Sequence, residues 1–102
     1  MTIYNKLVRD NIPEMICSNG EKPNFRILSS EEYLLALEQK LDEEAGEFHR
    51  DKNAEELADI LEVVFALADA IGCSREELMK TYQDKHHSRG GFEKRYYLFS
   101  KE

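Results

Sequence analysis

Apolar side chains recur at helical spacing through the middle of the chain. Ser29 and Glu32 have the S-x-x-E form of a capping box, and apolar residues then follow every three or four positions to about Arg50. These residues are Leu34, Leu37, Leu41, Ala45 and Phe48. The pattern predicts a long amphipathic helix whose apolar stripe faces other protein.

The same signals predict two more helices. Asn53 and Glu56 give a cap-like start to an apolar run that ends at Gly72, a natural C-terminal stop. Ser74 opens another capping box, and we expect this helix to end near His87. The turn between the first two long helices is only a few residues long, so these helices must run antiparallel.

The two ends of the chain are less regular. Pro13 after Asp10 or Asn11 favours a short first helix. The alternation in residues 25–28 and the aromatic run in residues 95–99 suggest that these segments pair as a small two-stranded element. We therefore expect an all-α fold, an antiparallel helix bundle with this small element added.

Length and composition predict one domain, residues 1–102. A chain of 102 residues with 41% hydrophobic side chains buries one modest core. We expect a homodimer or homotetramer, because pairing with a second copy would complete so thin a bundle. No apolar run is long enough to cross a bilayer, which predicts a cytoplasmic protein without a membrane partner. Cys17 and Cys73 are far apart and are expected to be free, buried thiols.

The charge distribution is uneven. A formal net charge of −7 argues against binding of a nucleic-acid polymer. Positive residues nevertheless gather near both ends, on either side of an acidic middle. They are Lys6 and Arg9 at one end and Lys85, Arg89, Lys94 and Arg95 at the other.

Two pairs of acids in the acidic middle have the spacing of neighbours on a helix face. Glu44 and Glu47 lie on the first long helix, and Glu56 and Asp59 lie on the second. At about 100° per residue, Glu44 falls inside the apolar stripe, where an unpaired carboxylate is costly. Two such pairs on antiparallel helices predict a cluster of four carboxylates.

Divalent cations supply the charge that such a cluster lacks. Oxygen-only ligands select hard ions, so the cofactor we expect is Mg²⁺, with Mn²⁺ as the alternative. A metal held in this way suits triphosphate chemistry, in which water attacks in line. Glu43, beside Glu44, would orient that water or act as a base. The candidate catalytic residues are therefore Glu43 and Glu44.

Simpler explanations compete with each of these assignments. One pair of acids alone is more often a solvated helix face, whereas two consecutive helices with intruding acids favour a metal site. A di-iron bundle would need Glu-x-x-His motifs, which His49, His86 and His87 do not complete. Arg9 could instead form an ion pair with the neighbours of Asp10 or with the acidic middle, and Gly90-Gly91 could simply end a helix.

Four segments of the chain carry a resemblance to a known family. Residues 40–47, KLDEEAGE, and residues 55–59, EELAD, resemble the acidic motifs of the MazG-type all-α nucleotide pyrophosphohydrolase superfamily. Residues 6–13, KLVRDNIP, and residues 85–92, KHHSRGGF, resemble both ends of its phosphoribosyl-ATP pyrophosphohydrolase-like, house-cleaning subgroup, which ends in R-G-G-F. The chain departs from the usual motifs at two positions. Asn11 stands where the subgroup often has Lys, and Ala58 stands where the superfamily often has Gly.

The resemblance implies roles for particular residues. The metal ligands would be Glu44, Glu47, Glu56 and Asp59, which neither departure touches. The triphosphate would be held by basic side chains and by backbone amides at the two glycines, because Arg offers a planar fork of donors to phosphate oxygens. These residues are Lys6, Arg9, Lys85, Arg89, Gly90 and Gly91.

Three functions stay open on the sequence. The first is cleavage of a nucleoside triphosphate to monophosphate and pyrophosphate, with non-canonical nucleotides as the house-cleaning substrate. The second keeps the fold but takes phosphoribosyl-ATP as substrate. The third is an acidic helical module that binds a protein partner and catalyses nothing.

Overall fold

The computed structural model describes all 102 residues and contains four helices and no strand. In chain order these are α1 (Ile12–Ser18), α2 (Ser30–Asp51), α3 (Ala54–Ala70) and α4 (Arg75–Arg89). The prediction of an all-α fold is confirmed. No helix is both long enough and apolar enough to cross a membrane.

Side-chain caps fix where the long helices begin. The Ser29 hydroxyl accepts a hydrogen bond from the Glu32 amide at 3.3 Å, and the Glu32 carboxylate accepts one from the Ser29 amide at 3.0 Å. Ser74 and Glu77 form the same reciprocal pair at the start of α4. Asn53 caps α3 through its side-chain oxygen. These bonds satisfy amides that a helix start leaves without intrahelical partners.

A sharp reversal places α2 and α3 side by side. Lys52 adopts a left-handed conformation with φ of 47°, and its amide donates to the Phe48 carbonyl at 2.8 Å. The chain turns back within two residues, so α2 and α3 pack as an antiparallel pair. Contact between α3 and α4 is limited to a short stretch, and α2 does not approach α4.

The core between α2 and α3 is small. Its buried apolar residues are Leu37, Val63 and Ala68, and the fourth buried residue of the chain is Glu44. By contrast, every residue from 79 to 102 is exposed, and we call this segment the C-terminal arm. The radius of gyration is 17.9 Å, whereas a compact domain of this length has about 13 Å. The single chain is therefore elongated, with its arm outside the packed helices.

Two expectations from the sequence are wrong. Residues 25–28 and 95–99 form no strand, and the tail's one backbone bond beyond α4 is a local turn from Arg95 to Phe92. The physical reason is that an isolated pair of strands needs a packed face, whereas both segments are exposed except for Leu28. Cys17 is exposed rather than buried, while Cys73 is half-buried; both thiols are free, as expected.

Candidate metal centre

The four carboxylates singled out in the sequence converge between α2 and α3. One oxygen from each of the four side chains lies within 4.8 Å of the others. Each helix contributes two acids one turn apart, and the antiparallel packing brings the two pairs face to face. The members of this carboxylate cluster are Glu44, Glu47, Glu56 and Asp59.

Two oxygens of the carboxylate cluster are buried without a hydrogen-bond partner. These are Oε2 of Glu44, a residue only 7% exposed, and Oε2 of Glu56. Such unpaired polar atoms are rare in folded proteins, because they lose their hydrogen bonds to water on burial and no protein hydrogen bond replaces them. The donor set consists entirely of carboxylate oxygens, which is the set that hard cations such as Mg²⁺ prefer. The residues therefore fit a hard divalent cation.

Mutual repulsion and burial disfavour the charged forms in the carboxylate cluster. Burial raises the pKa of Glu44, and the negative charge of the adjacent Glu47 carboxylate raises it further. Burial and the same Glu47 carboxylate also raise the pKa of Glu56, and Asp59 adds to both effects. The cluster thus has an excess of negative charge, of which α2 neutralises only a part, through Lys40.

Glu43 lies beside the carboxylate cluster and is held by two lysines. Its Oε1 is 3.2 Å from Lys6 Nζ, and its Oε2 is 3.1 Å from Lys40 Nζ. Burial opposes ionisation of Glu43, but hydrogen bonds from Lys40 and Lys6 outweigh it and lower the pKa. The side chain is therefore held as a carboxylate, and its role as a base stays a prediction.

The N-terminal basic residues reach the cluster across a long sequence distance. Arg9 Nη2 lies 2.6 Å from Asp59 Oδ1, and Arg9 Nη1 lies 3.4 Å from Glu62 Oε1. Lys6 arrives at Glu43 from the same segment. The structure thus contains an ion pair between Arg9 and the acidic middle, which was the alternative to phosphate binding. It also places Lys6 and Arg9 next to the four carboxylates.

The C-terminal basic residues are not joined to the cluster within one chain. Lys85 and Arg89 are exposed, and no hydrogen bond or ion pair links either side chain to α2 or α3. Gly90 has φ of +79°, and its amide donates to the His86 carbonyl at 2.7 Å. Gly90 therefore ends α4, as the simpler explanation required, and Gly91 follows it in the exposed arm. A phosphate-binding role for this block stays a prediction.

Two residues near the cluster were not singled out from the sequence. Lys40 Nζ lies 3.5 Å from Glu44 Oε1, and its side chain is only 16% exposed. Lys40 stands four positions before Glu44, a spacing at which opposite charges meet on a helix, so the pattern held a signal for it. Glu62 contacts Arg9 through a long-range pairing that no local pattern indicates.

Comparison with known proteins gives one short match. A protein of Mycolicibacterium smegmatis, described only as uncharacterized, is 55% identical over 42 residues, which are 41% of this chain. The matched segment spans 43% of that protein's length. No protein family and no solved structure match the chain. The geometry of the site is therefore the main guide to function.

Proposed function

We propose that the chain is a Mg²⁺-dependent nucleoside triphosphate pyrophosphohydrolase, which converts a nucleoside triphosphate and water to the monophosphate and pyrophosphate. The observation that carries the proposal is the pair of buried, unpartnered oxygens on Glu44 and Glu56 within a cluster of four carboxylates. Such a cluster is stabilised by a divalent cation, and a cation held in this way still has positions for phosphate oxygens.

Positive side chains next to the acids support a phosphate substrate. Bound Mg²⁺ would neutralise charge on the phosphate oxygens and lower the pKa of the attacking water. Lys6 and Arg9 now pair with Glu43 and Asp59. On nucleotide binding, their donors would turn to phosphate oxygens, because an Arg fork and a Lys ammonium form strong charge-assisted bonds there. The negative substrate thus replaces carboxylates as their partner.

This exchange gives Glu43 a role in the reaction. While two lysines contact it, Glu43 has a lowered pKa and is a weak base. When Lys6 turns to the phosphate, Glu43 retains only Lys40, so one of its carboxylate oxygens becomes free to contact the attacking water. Glu43 would then orient the attacking water and take its proton.

The sequence motifs support the same reaction class. The acidic motifs that resemble MazG-type enzymes contain all four members of the carboxylate cluster, and the KLVRD block contains both cations that reach it. House-cleaning of non-canonical nucleotides is the role we propose. Phosphoribosyl-ATP is the alternative substrate, because the resemblance includes that subgroup. The net charge of −7 motivates the third candidate, a non-catalytic protein-binding module.

The test is release of pyrophosphate from a panel of substrates, with Mg²⁺ and with a chelator. The panel contains normal, oxidised and deaminated nucleoside triphosphates and phosphoribosyl-ATP. Glu56→Gln removes one charge from the cluster, and Glu55→Gln, an exposed neighbour in the same helical turn, is the matched control. We expect activity that requires Mg²⁺, survives Glu55→Gln and falls by at least about a hundredfold in Glu56→Gln.

Each alternative predicts a different result in this assay. Efficient cleavage of phosphoribosyl-ATP alone would replace the proposed substrate but keep the reaction. Pyrophosphate release that is unchanged in Glu56→Gln would contradict the role of the cluster. No release from any substrate by a folded, Mg²⁺-loaded protein would overturn the enzymatic proposal and favour the protein-binding module.

A further inference from the structure

Residues 1–20 are joined to the helical pair α2 and α3 through charged side chains. No backbone hydrogen bond links this segment to α2, α3 or α4, and α1 does not pack against any of them. Lys6 forms an ion pair with Glu43 on α2, and Arg9 forms one with each of two acids on α3. The position of the Arg9 guanidinium is therefore set by the acids that hold it rather than by the backbone.

The two acids that hold Arg9 differ in their surroundings. Arg9 Nη2 lies 2.6 Å from Oδ1 of Asp59, a member of the carboxylate cluster. Arg9 Nη1 lies 3.4 Å from Oε1 of Glu62, which is not a member. Glu62 stands three positions after Asp59, so the two carboxylates lie about one turn apart on the same side of α3. Each end of the guanidinium fork thus contacts a different carboxylate.

A divalent cation at the carboxylate cluster would weaken only one of these contacts. Asp59 would share its negative charge with the cation, and the cation would repel the nearby guanidinium because both are positive. Glu62 is one turn further along α3 and outside the cluster, so its carboxylate stays available to Arg9. Metal binding would therefore shift the guanidinium from Asp59 towards Glu62.

Arg9 has enough donors to keep Glu62 and still contact a substrate. A guanidinium has five N–H donors in a planar fork, and the two acids accept one hydrogen bond each. Because the fork is rigid, an acid that holds one end also limits where the other end can point. With Nη1 held by Glu62, the donors that Asp59 releases remain beside the cluster and are available to phosphate oxygens.

We propose that Glu62 is a positioning residue, which holds Arg9 beside the carboxylate cluster when Asp59 ligates a divalent cation, so that the guanidinium can bind the phosphate groups of the substrate. The contact with phosphate rests on the proposed function. The holding of Arg9 by Glu62 requires only a divalent cation at the cluster.

The exposure of this ion pair argues against a purely structural role for Glu62. The side chains of Arg9 and Glu62 are 51% and 52% exposed, and an ion pair between such groups contributes little to stability. The Glu62 carboxylate makes no other hydrogen bond or ion pair. An acid this close to the site of an anionic substrate would by itself repel that substrate. Its contact with Arg9 offsets the repulsion.

NMR of the Arg9 guanidinium tests the positioning with Mg²⁺ alone. Separate N–H signals show that an acid holds the guanidinium, because free rotation averages them, and Arg9→Lys assigns them. Without metal, wild type and Glu62→Gln should both show separate signals, because Asp59 still holds Arg9. With saturating Mg²⁺, wild type should keep them and Glu62→Gln should lose them. Glu55→Gln, the same change two turns earlier on α3, should behave as wild type. Identical signals from wild type and Glu62→Gln with Mg²⁺ would overturn the proposal.

The kinetics of pyrophosphate release test the link to the substrate. Removal of a negative charge near an anionic substrate should by itself lower KM, whereas loss of the contact that positions Arg9 should raise it. We expect Glu62→Gln to raise KM about tenfold, as for partial loss of a charge-assisted hydrogen bond, and to change kcat less than about twofold. In an Arg9→Gln background, Glu62→Gln should no longer raise KM. A KM that falls or is unchanged, or a rise that persists without Arg9, would overturn the role of Glu62 in substrate binding.

The two experiments separate this inference from the proposed function. Inactive wild type in which the Arg9 signals still depend on Glu62 with Mg²⁺ would reject the reaction and keep Glu62 as the residue that positions Arg9. Active wild type in which Glu62→Gln changes neither the Arg9 signals nor KM would keep the reaction and reject the positioning.

Discussion

At the scale of single residues, Glu44 is a proposed metal ligand whose buried charge lowers the stability of the fold. Its side chain occupies a core position between apolar neighbours, and one of its oxygens has no hydrogen-bond partner. Lys40 neutralises only the other oxygen, at 3.5 Å. A side chain that served the fold alone would be better replaced by a neutral one. The buried charge of Glu44 thus lowers the stability of the fold, and metal binding would offset that loss.

Glu44→Gln should stabilise the metal-free protein. Glutamine keeps the shape of the side chain and removes the buried charge, while the loss of the contact with Lys40 offsets part of the gain. The expected increase in the free energy of unfolding is on the order of 1 kcal/mol or less, because solvent at the open side of the cluster screens the charges. Urea unfolding at neutral pH with a chelator measures it.

The control for this prediction is Glu38→Gln. Glu38 lies on the same helix, is exposed and makes no ion pair, so its replacement should leave the unfolding midpoint unchanged. Destabilisation by Glu44→Gln in the absence of metal would contradict the conclusion that the buried charge is unfavourable there.

The ion pair between Glu32 and Arg26 makes the stability of the fold depend on pH. A two-point contact with Arg26, at 2.6 and 3.1 Å, and hydrogen bonds with Ser29 lower its pKa from 4.5 to about 2. Because the folded pKa lies below the unfolded value, the pair contributes its full stability above pH 4.5. That contribution should be lost progressively as the pH falls from 4.5 towards 2.

An NMR titration of the side-chain carboxyl groups measures this shift directly. In Arg26→Gln the titration midpoint of Glu32 should move upward but stay below 4.5, because the bonds with Ser29 remain. A wild-type Glu32 that titrates at about 4.5 would show that the ion pair does not form in solution.

At the scale of helices, the sequence predicted the features that are set by residues close together in the chain, such as where a helix begins and which face is buried. The cap at Ser29 and the apolar period after it located α2 and placed Glu44 in its buried stripe. The contacts of Lys6 with Glu43 and of Arg9 with Asp59 span 37 and 50 positions, and the segment before α1 has no periodicity from which to derive them. The proposed strand pairing was wrong for the same reason, since hydrophobic pattern alone does not determine which distant segments meet.

Ser29→Ala should weaken α2 and the packing that depends on it. The variant removes the hydroxyl that accepts from the Glu32 amide but leaves the backbone bond to the Glu32 carboxylate. The expected loss is about 1 kcal/mol of unfolding free energy. Ser30→Ala is the matched control, because Ser30 is the first helical residue, is exposed and caps nothing. Equal losses in the two variants would mean that the cap is not the source of stability.

At the scale of the whole molecule, the charge distribution allows cations to stabilise the chain in two ways, by general screening and by binding at a site. Eighteen acids lie in residues 1–78, so any added salt reduces their general repulsion. The carboxylate cluster adds a local site at which a cation could bind, because four of these acids present oxygens within 4.8 Å of one another. General screening grows gradually with ionic strength, whereas a site saturates. The two effects can therefore be separated by their concentration dependence.

Mg²⁺ should stabilise the protein by saturable binding to the carboxylate cluster. Binding to the folded state alone adds about 2.7 kcal/mol at a free Mg²⁺ concentration a hundred times the dissociation constant. The measurement is urea unfolding at fixed protein concentration, with NaCl used to hold the ionic strength constant. Glu56→Gln should lose most of the gain, and Glu55→Gln should keep it. Equal gains in both variants would show that Mg²⁺ only screens the acidic surface, and the cluster would then not be a metal centre.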